Sequence, residues 1–224
     1  MCGRFTLHTP AHRLAEAFGV GELPNLPPRY NIAPSQDVVA IRRAAGGGPR
    51  ELVPLRWGLI PFWAKDPAIG NRMINARAET AAEKPAFRAA FRARRCLVAA
   101  DGFYEWQKAA GGAKQPYYIR LKDDAPFAIA ALWERWSPPE GEAVESCALL
   151  TTAANDLLRP IHDRMPVILA PAAYDAWLEP APLSTAVREA LLRPYPADEM
   201  TAYAIGRLVN DPRTDEAACI APLG

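Results

Sequence analysis

Between residues 37 and 154 the chain repeats one pattern: a short run of strand-type residues, then a turn. The runs are DVVAIRR (37–43), ELVPLRWGL (51–59), CLVAADGFYEWQ (96–107), PYYIRL (116–121), FAIAALWERW (127–136) and SCALLTTAA (146–154). Each reads as a strand, the third as two strands around Asp101-Gly102. Glycines at 46–48 and 111–112 mark hairpin tips, not domain linkers. Helical spacing is confined to short pieces. TPAHRLAEAFG (9–19) offers Thr9 as a cap, Pro10 in the first turn and Gly19 at the end. KPAFRAAFRARR (84–95), PAAYDAWLE (171–179) and LSTAVREALLRP (183–194) read as further helices. NDLLRPIHDRMPVIL (155–169) starts as a short helix and ends as a strand. PFWAKDPAIGNRMINARAET (61–80) has no clean period and reads as a long surface loop. Dominant strands with scattered helices predict an α+β fold with mainly antiparallel pairing. No internal repeat divides the 224 residues, so a single domain over 1–224 is expected.

Several function classes are disfavoured. No run of about 18 apolar residues exists, so no membrane span and no membrane partner are expected. No apolar stretch precedes Cys2, which argues against a secretory signal or lipid anchor. The cysteines at 2, 96, 147 and 219 are far apart, with no CxxC pair or Cys/His cluster. No metal is therefore expected. A disulfide-poor chain without a signal reads as cytoplasmic. Net charge is +1, yet residues 1–100 hold 15 Lys+Arg against 7 Asp+Glu, and residues 101–224 hold 11 against 18. This asymmetry permits a basic face for an anionic polymer, although sequence halves need not be spatial halves.

Candidate chemistry begins at MCGRF. A buried filler, an attachment point and a nucleophile are all open readings of Cys2. Removal of Met1 would give Cys2 a free α-amine beside its thiol. With a reference pKa of about 7.7–8.0, roughly a tenth to a fifth of that amine is neutral at pH 7. It can attack an aldehyde to form a Schiff base, and the thiol can then close a five-membered thiazolidine ring. His162 is a candidate proton shuttle or a structural residue at a strand entrance. His8 and His12 flank a surface helix and read as solvated. Alternation on the DGFYEWQ strand sends Phe103 and Glu105 to one face, Tyr104 and Trp106 to the other. A carboxylate sharing an apolar face suits acid–base work, and a surface ion pair is the competing reading. NRMINARAET supplies Asn71, Asn75 and Arg77, as phosphate and amide ligands or as a capped loop. Trp57, Phe62 and Trp63 in RWGLIPFWAK suit stacking on unpaired bases, or core packing.

The strings MCGRF, RYNIAPSQ, RWGLIPFWAK, INARAET, DGFYEW and IHDRMPVIL occur in an order that resembles the SOS response-associated peptidase family, also called abasic-site processing proteins. The resemblance runs from residue 1 to at least 170. It implies a curved, mainly antiparallel, open-barrel-like sheet with peripheral helices and a positive groove, acting without metal or organic cofactor. It implies self-processing that removes Met1 and a stable thiazolidine between Cys2 and an abasic site in single-stranded DNA. By motif matching, Asn75 would orient the Cys2–sugar adduct, Glu105 would assist proton transfer in formation and reversal, and His162 would help open the sugar ring. Arg4, Arg77 and Arg164 would hold phosphates, and Trp63 and Trp106 would pack on the DNA. The partner implied is single-stranded DNA with abasic sites, including single/double-strand junctions. The protein would be a monomer, nucleoid-associated when bound to damage. Phe62-Trp63 stands where many bacterial members carry two adjacent Trp, so strand affinity would differ while the chemistry would not. A glutamine amidotransferase also begins MCG, but such domains continue with an apolar-Gly run where this chain has Arg4 and Phe5. A general protease would need a substrate cleft that no motif here marks. A non-catalytic DNA-binding module would have no use for the Cys2 thiol.

Overall fold

The computed structural model describes residues 2–21, 25–108 and 111–223. In chain order the strands are β1 (Phe5–Leu7), β2 (Arg29–Ile32), β3 (Asp37–Arg43), β4 (Arg50–Trp57), β5 (Asn75–Arg77), β6 (Arg95–Ala100) and β7 (Gly102–Lys108). They continue with β8 (Lys114–Leu121), β9 (Phe127–Trp136), β10 (Val144–Ala153), β11 (Arg164–Pro166), β12 (Ile168–Leu169) and β13 (Met200–Ala204). The helices are α1 (Ala11–Phe18), α2 (Arg88–Ala93), α3 (Tyr174–Leu178) and α4 (Thr185–Leu191).

Two sheets form. In the larger, β4, β3, β6, β9 and β10 pair antiparallel in that order, and β10 returns to β4 through a short parallel seam, Ser146 opposite Arg56 and Cys147 opposite Trp57. The strands thus curl into a partial barrel, and β5, β11 and β12 extend it. The smaller sheet runs β13-β8-β7-β1-β2. The expected α+β, mainly antiparallel architecture is found.

The chain passes from one sheet to the other at Asp101-Gly102. The buried Asp101 carboxylate accepts from the Thr9 hydroxyl at 2.6 Å, from the Thr9 amide at 2.8 Å and from the His8 amide. This clamps β1 to the crossover. Thr9 is therefore not the cap of α1; Pro10 holds that position without a side-chain bond, because the Thr9 hydroxyl is engaged by Asp101. Gly19 ends α1 with φ 59°, the left-handed closure expected of glycine. Gly102 is required for a different reason: a Cβ there would lie 2.4 Å from the Tyr118 ring.

Two other expectations need correction. Residues 61–80 are not merely a loop: Pro67–Arg72 form a 3-10 turn, and β5 pairs in parallel with β10, Asn75 opposite Leu149. Residues 155–162 form hydrogen-bonded turns rather than a helix. The Arg159 amide reaches the Asn155 carbonyl and the His162 amide the Leu158 carbonyl, but Pro160 has no N–H with which to continue the ladder. The hairpin tips at 46–48 and 111–112 are confirmed by the positive φ of Gly46, Gly47, Gly111 and Gly112.

Alternation on β7 separates two cores. Phe103 joins the main core with Phe5, Trp57 and Leu149, whereas Tyr104 packs with Tyr118, Ile205 and Val209 on the other face. The segment carrying Val209 is fastened to β2 by Asn31, whose amide donates to the Val209, Asp211 and Thr214 carbonyls. Asp215 completes the clasp by accepting from Arg29 Nε at 2.5 Å and from the Asn31 amide at 2.9 Å. Among the described residues no helix is long and apolar enough to cross a membrane.

Candidate active site

The site begins where the first strand meets the barrel. Cys2 is fully buried within the main core. Burial, reinforced by the charge of Glu105, pushes its thiol well above the usual range, so it stays protonated. Its carbonyl accepts from Asn75 Nδ2 at 2.8 Å. Asn75 is fixed in turn through its neighbour, because the Ile74 carbonyl accepts from the Trp57 indole at 2.8 Å and from the Leu149 amide at 3.0 Å. The second amide atom, Asn75 Oδ1, is buried and accepts nothing from the described residues. An acceptor left open at such depth is costly unless a ligand fills it.

Glu105 approaches the same place from β7. Pairing of β1 with β7 sets Phe5 opposite Phe103, so continuing the register brings Glu105 alongside the residues that precede Phe5. Glu105 is 2 % exposed, and burial pushes its carboxyl up to about 7, with the nearby Asp163 charge adding to the rise. A carboxyl poised there can both take and give a proton at neutral pH.

His162 stands at the end of the 155–162 turns with its side chain 28 % exposed. Its Nδ1 accepts from the Arg164 amide at 3.0 Å and lies 3.0 Å from Asp163 Oδ1. The accepted bond selects the neutral tautomer with the proton on Nε2. Partial burial lowers its pKa, while Asp163 pulls the other way.

The cationic residues divide. Arg164, on β11, grips the Glu79 carboxylate with both Nη atoms at 2.6 and 2.8 Å and the Thr151 carbonyl at 2.5 Å. Hydrogen bonds from Arg164 hold Glu79 below the usual carboxylate range. Arg77 is exposed on β5, opposite Thr151 of β10, and among the described residues its side chain makes no hydrogen bond or ion pair. Arg4 is turned elsewhere: its Nη1 donates to Asn31 Oδ1 at 2.8 Å and to the Val209 carbonyl at 2.6 Å, on the Tyr104 side of the sheet. Trp106 is on that side too, its indole donating to Asn210 Oδ1 at 2.8 Å. Trp63 and Phe62 stand 49 % and 59 % exposed on the loop after β4, which is anchored where the Trp136 indole donates to the Ala64 carbonyl at 2.7 Å.

Cys2, Asn75 and Glu105 therefore converge, with His162 joined through Asp163, while Arg77 and Arg164 flank β10. Arg4 and Trp106 turn their side chains to the Tyr104 face of the sheet, and Trp63 stands exposed on the loop after β4. Glu79 and Asp163 escaped the sequence reading. Glu79 was visible two positions after Arg77, but nothing local shows that its partner is 85 positions away. Among the described residues no group of three or more His, Cys, Asp or Glu side chains is placed to hold a metal ion. Met1 lies outside the described residues.

Fold and site together define a β-rich α+β protein in which a buried cysteine near the start of the chain meets a half-buried asparagine and a buried carboxyl. The profile described as SOS response associated peptidase (SRAP) matches residues 1–212. The chain belongs to that family. It is 46% identical over 220 residues to the abasic site processing protein YoaM of Bacillus subtilis, covering 97% of this chain and 96% of that one. It is 32% identical over 270 residues to the abasic site processing protein HMCES of Rattus norvegicus, covering 99% of this chain and 76% of the relative. A crystal structure of a protein from Bacteroides thetaiotaomicron superposes with a TM-score of 0.87 at 29% identity, covering 99% of this chain and all of the other.

Proposed function

We propose that this protein captures abasic sites in single-stranded DNA as a covalent thiazolidine on Cys2, after removal of Met1. The observation that carries the reading is the convergence on Cys2 of the Asn75 amide and of a Glu105 carboxyl held at about 7. The names of the relatives supply the lesion.

Hydrolysis of the Met1–Cys2 bond, with the site itself as catalyst, would free the α-amine. His162 would move a proton at the sugar hydroxyl as the lesion opens to its aldehyde. The neutral amine adds to the aldehyde carbon, and loss of one water leaves a Schiff base. The Cys2 thiol then adds to the same carbon, its proton passing by way of Glu105 to the nitrogen. One aldehyde, one amine and one thiol thus give one ring and one water. The same carboxyl would carry the proton from the nitrogen back to the sulfur when the C–S bond breaks and the ring reopens to the Schiff base. Asn75 Oδ1 would accept from the ring N–H. Arg77 and Arg164 would hold the flanking phosphates. The acting form is a cytoplasmic monomer that follows damaged DNA.

The test is the intact mass of the protein mixed with an abasic single-stranded oligonucleotide. The expected mass is that of the chain without Met1, plus the oligonucleotide, less one water. Cys2→Ala should give no stable adduct while leaving a Schiff base that borohydride can trap. A wild-type mass without bound oligonucleotide overturns the proposal.

A further inference from the structure

We infer that the cleft between α2 and α4 is a second phosphate-binding site, taking the backbone of the single strand that flanks the lesion. It rests on the reading above, and it lies outside the cluster built on Cys2. The cleft has a volume of about 560 Å³, enough for a nucleotide-sized ligand. Arg88 and Arg92 stand on one wall and Arg188 on the other, above a floor that includes Phe91, Leu183 and Ala82. Among the described residues none of these three guanidinium groups makes an ion pair or a side-chain hydrogen bond. That sets them apart from the other arginines of the same stretch. Arg94 is paired with Glu134, and Arg95 is buried and used internally.

Arg95 explains why the two walls stay together. Its guanidinium donates to the Phe91 and Arg92 carbonyls of α2. It also donates to the Trp177 and Ala181 carbonyls, at 2.7 and 2.8 Å, and to that of Glu179, all on the segment that leads into Leu183 and α4. One buried cation thus fixes the spacing between Arg88 and Arg92 on one side and Arg188 on the other. Three unpaired forks over an apolar floor match a ligand that alternates phosphates with flat, weakly polar rings. The location fits as well. Five positions separate Arg77, beside the Cys2 site, from Ala82 in the cleft floor, and the Thr80 and Ala81 amides fold that stretch back onto the Arg77 carbonyl. A strand held at Arg77 reaches the cleft within a few nucleotides.

The experiment compares the wild type with an Arg88→Ala, Arg92→Ala, Arg188→Ala triple variant, using abasic single strands of about 20 nucleotides and of about 3, the shorter with the lesion central so that neither flank spans from Arg77 to the cleft. The substitutions remove only exposed or half-exposed guanidinium groups, and a thermal melt checks that the fold is kept. Adduct yield on the short strand reports the Cys2 chemistry and should be unchanged. Affinity for the long, undamaged strand should fall, and its log–log salt slope should flatten by about 2, three phosphates at about 0.7 each. Arg188→Glu alone should weaken long-strand binding further than Arg188→Ala. An unchanged slope in the triple variant, or equal losses on both lengths, overturns the cleft assignment while the capture reading stands. A wild type that binds neither strand and forms no adduct overturns both.

Discussion

The side-chain amide of Asn75 donates to the backbone carbonyl of Cys2 at 2.8 Å, across 73 positions of sequence. It pins the backbone, not the thiol, and so fixes how Cys2 presents its nitrogen and its sulfur. Asn75→Ala removes this anchor and the open acceptor together. Adduct formation should slow by about ten- to a hundredfold, the range for a small misplacement of reacting groups. Affinity for undamaged single strands should hold. Equal loss of both, read by gel kinetics and by anisotropy, would make Asn75 a scaffold residue.

Glu105 ties stability to pH. Its folded pKa of about 7 lies above the ordinary 4.5, so the native state holds the proton more tightly than the unfolded chain does. Stability from this group is therefore full below about 4.5 and is lost as pH rises through about 7. Glu105→Gln should leave stability unchanged at pH 4 and raise it by up to about 3 kcal/mol at pH 8, from the shift at about 1.4 kcal/mol per pH unit. Denaturant melts at the two pH values check this. The same variant should lose any inflection near pH 7 in the rate of adduct formation.

Arg77 and Arg164 differ in readiness. Arg77 is unpaired among the described residues, while Arg164 is held by Glu79. Arg77→Ala should weaken capture and reduce the salt slope by about 0.7. Glu79→Gln should do the opposite at low salt, because it frees the Arg164 fork and removes the negative charge that now occupies it. Its effect on stability should stay within about 1 kcal/mol, as for exposed pairs in general. A salt titration of single-strand binding separates the two outcomes.

Trp63 is half exposed, so its ring is not needed by the core. Trp63→Ala should leave the melting temperature unchanged and weaken single-strand binding by about 1–3 kcal/mol, the usual worth of one stacked base. Phe62→Trp should tighten binding by restoring an indole donor beside it. Unaltered affinity in both variants would remove this loop from the DNA path.

Much of this was legible in the sequence because it is local. Alternation on β7 separated Glu105 from Tyr104 and Trp106, and Gly19 marked the end of α1. What escaped depends on partners. β5 is only three residues long and becomes a strand because β10 lies beside it. Thr9 reads as a cap until the buried Asp101, 92 positions away, takes its hydroxyl. The family resemblance implies a phosphate role for Arg4, and no local signal shows that its guanidinium donates to Asn31 and to the Val209 carbonyl, 205 positions away. Closure of the barrel is equally non-local, since its seam joins Cys147 to Trp57.

The clasp of residues 207–215 on β2 reaches further than its location suggests. The Val209 carbonyl grips Arg4 across 205 positions, and Arg4 is two residues from the thiol. In a deep mutational survey, Asp211, Thr214 and Asp215 should therefore behave as next-door neighbours of Cys2. Loosening this far belt would let the amino-terminal stretch drift, and chemistry would fade well before the protein melted.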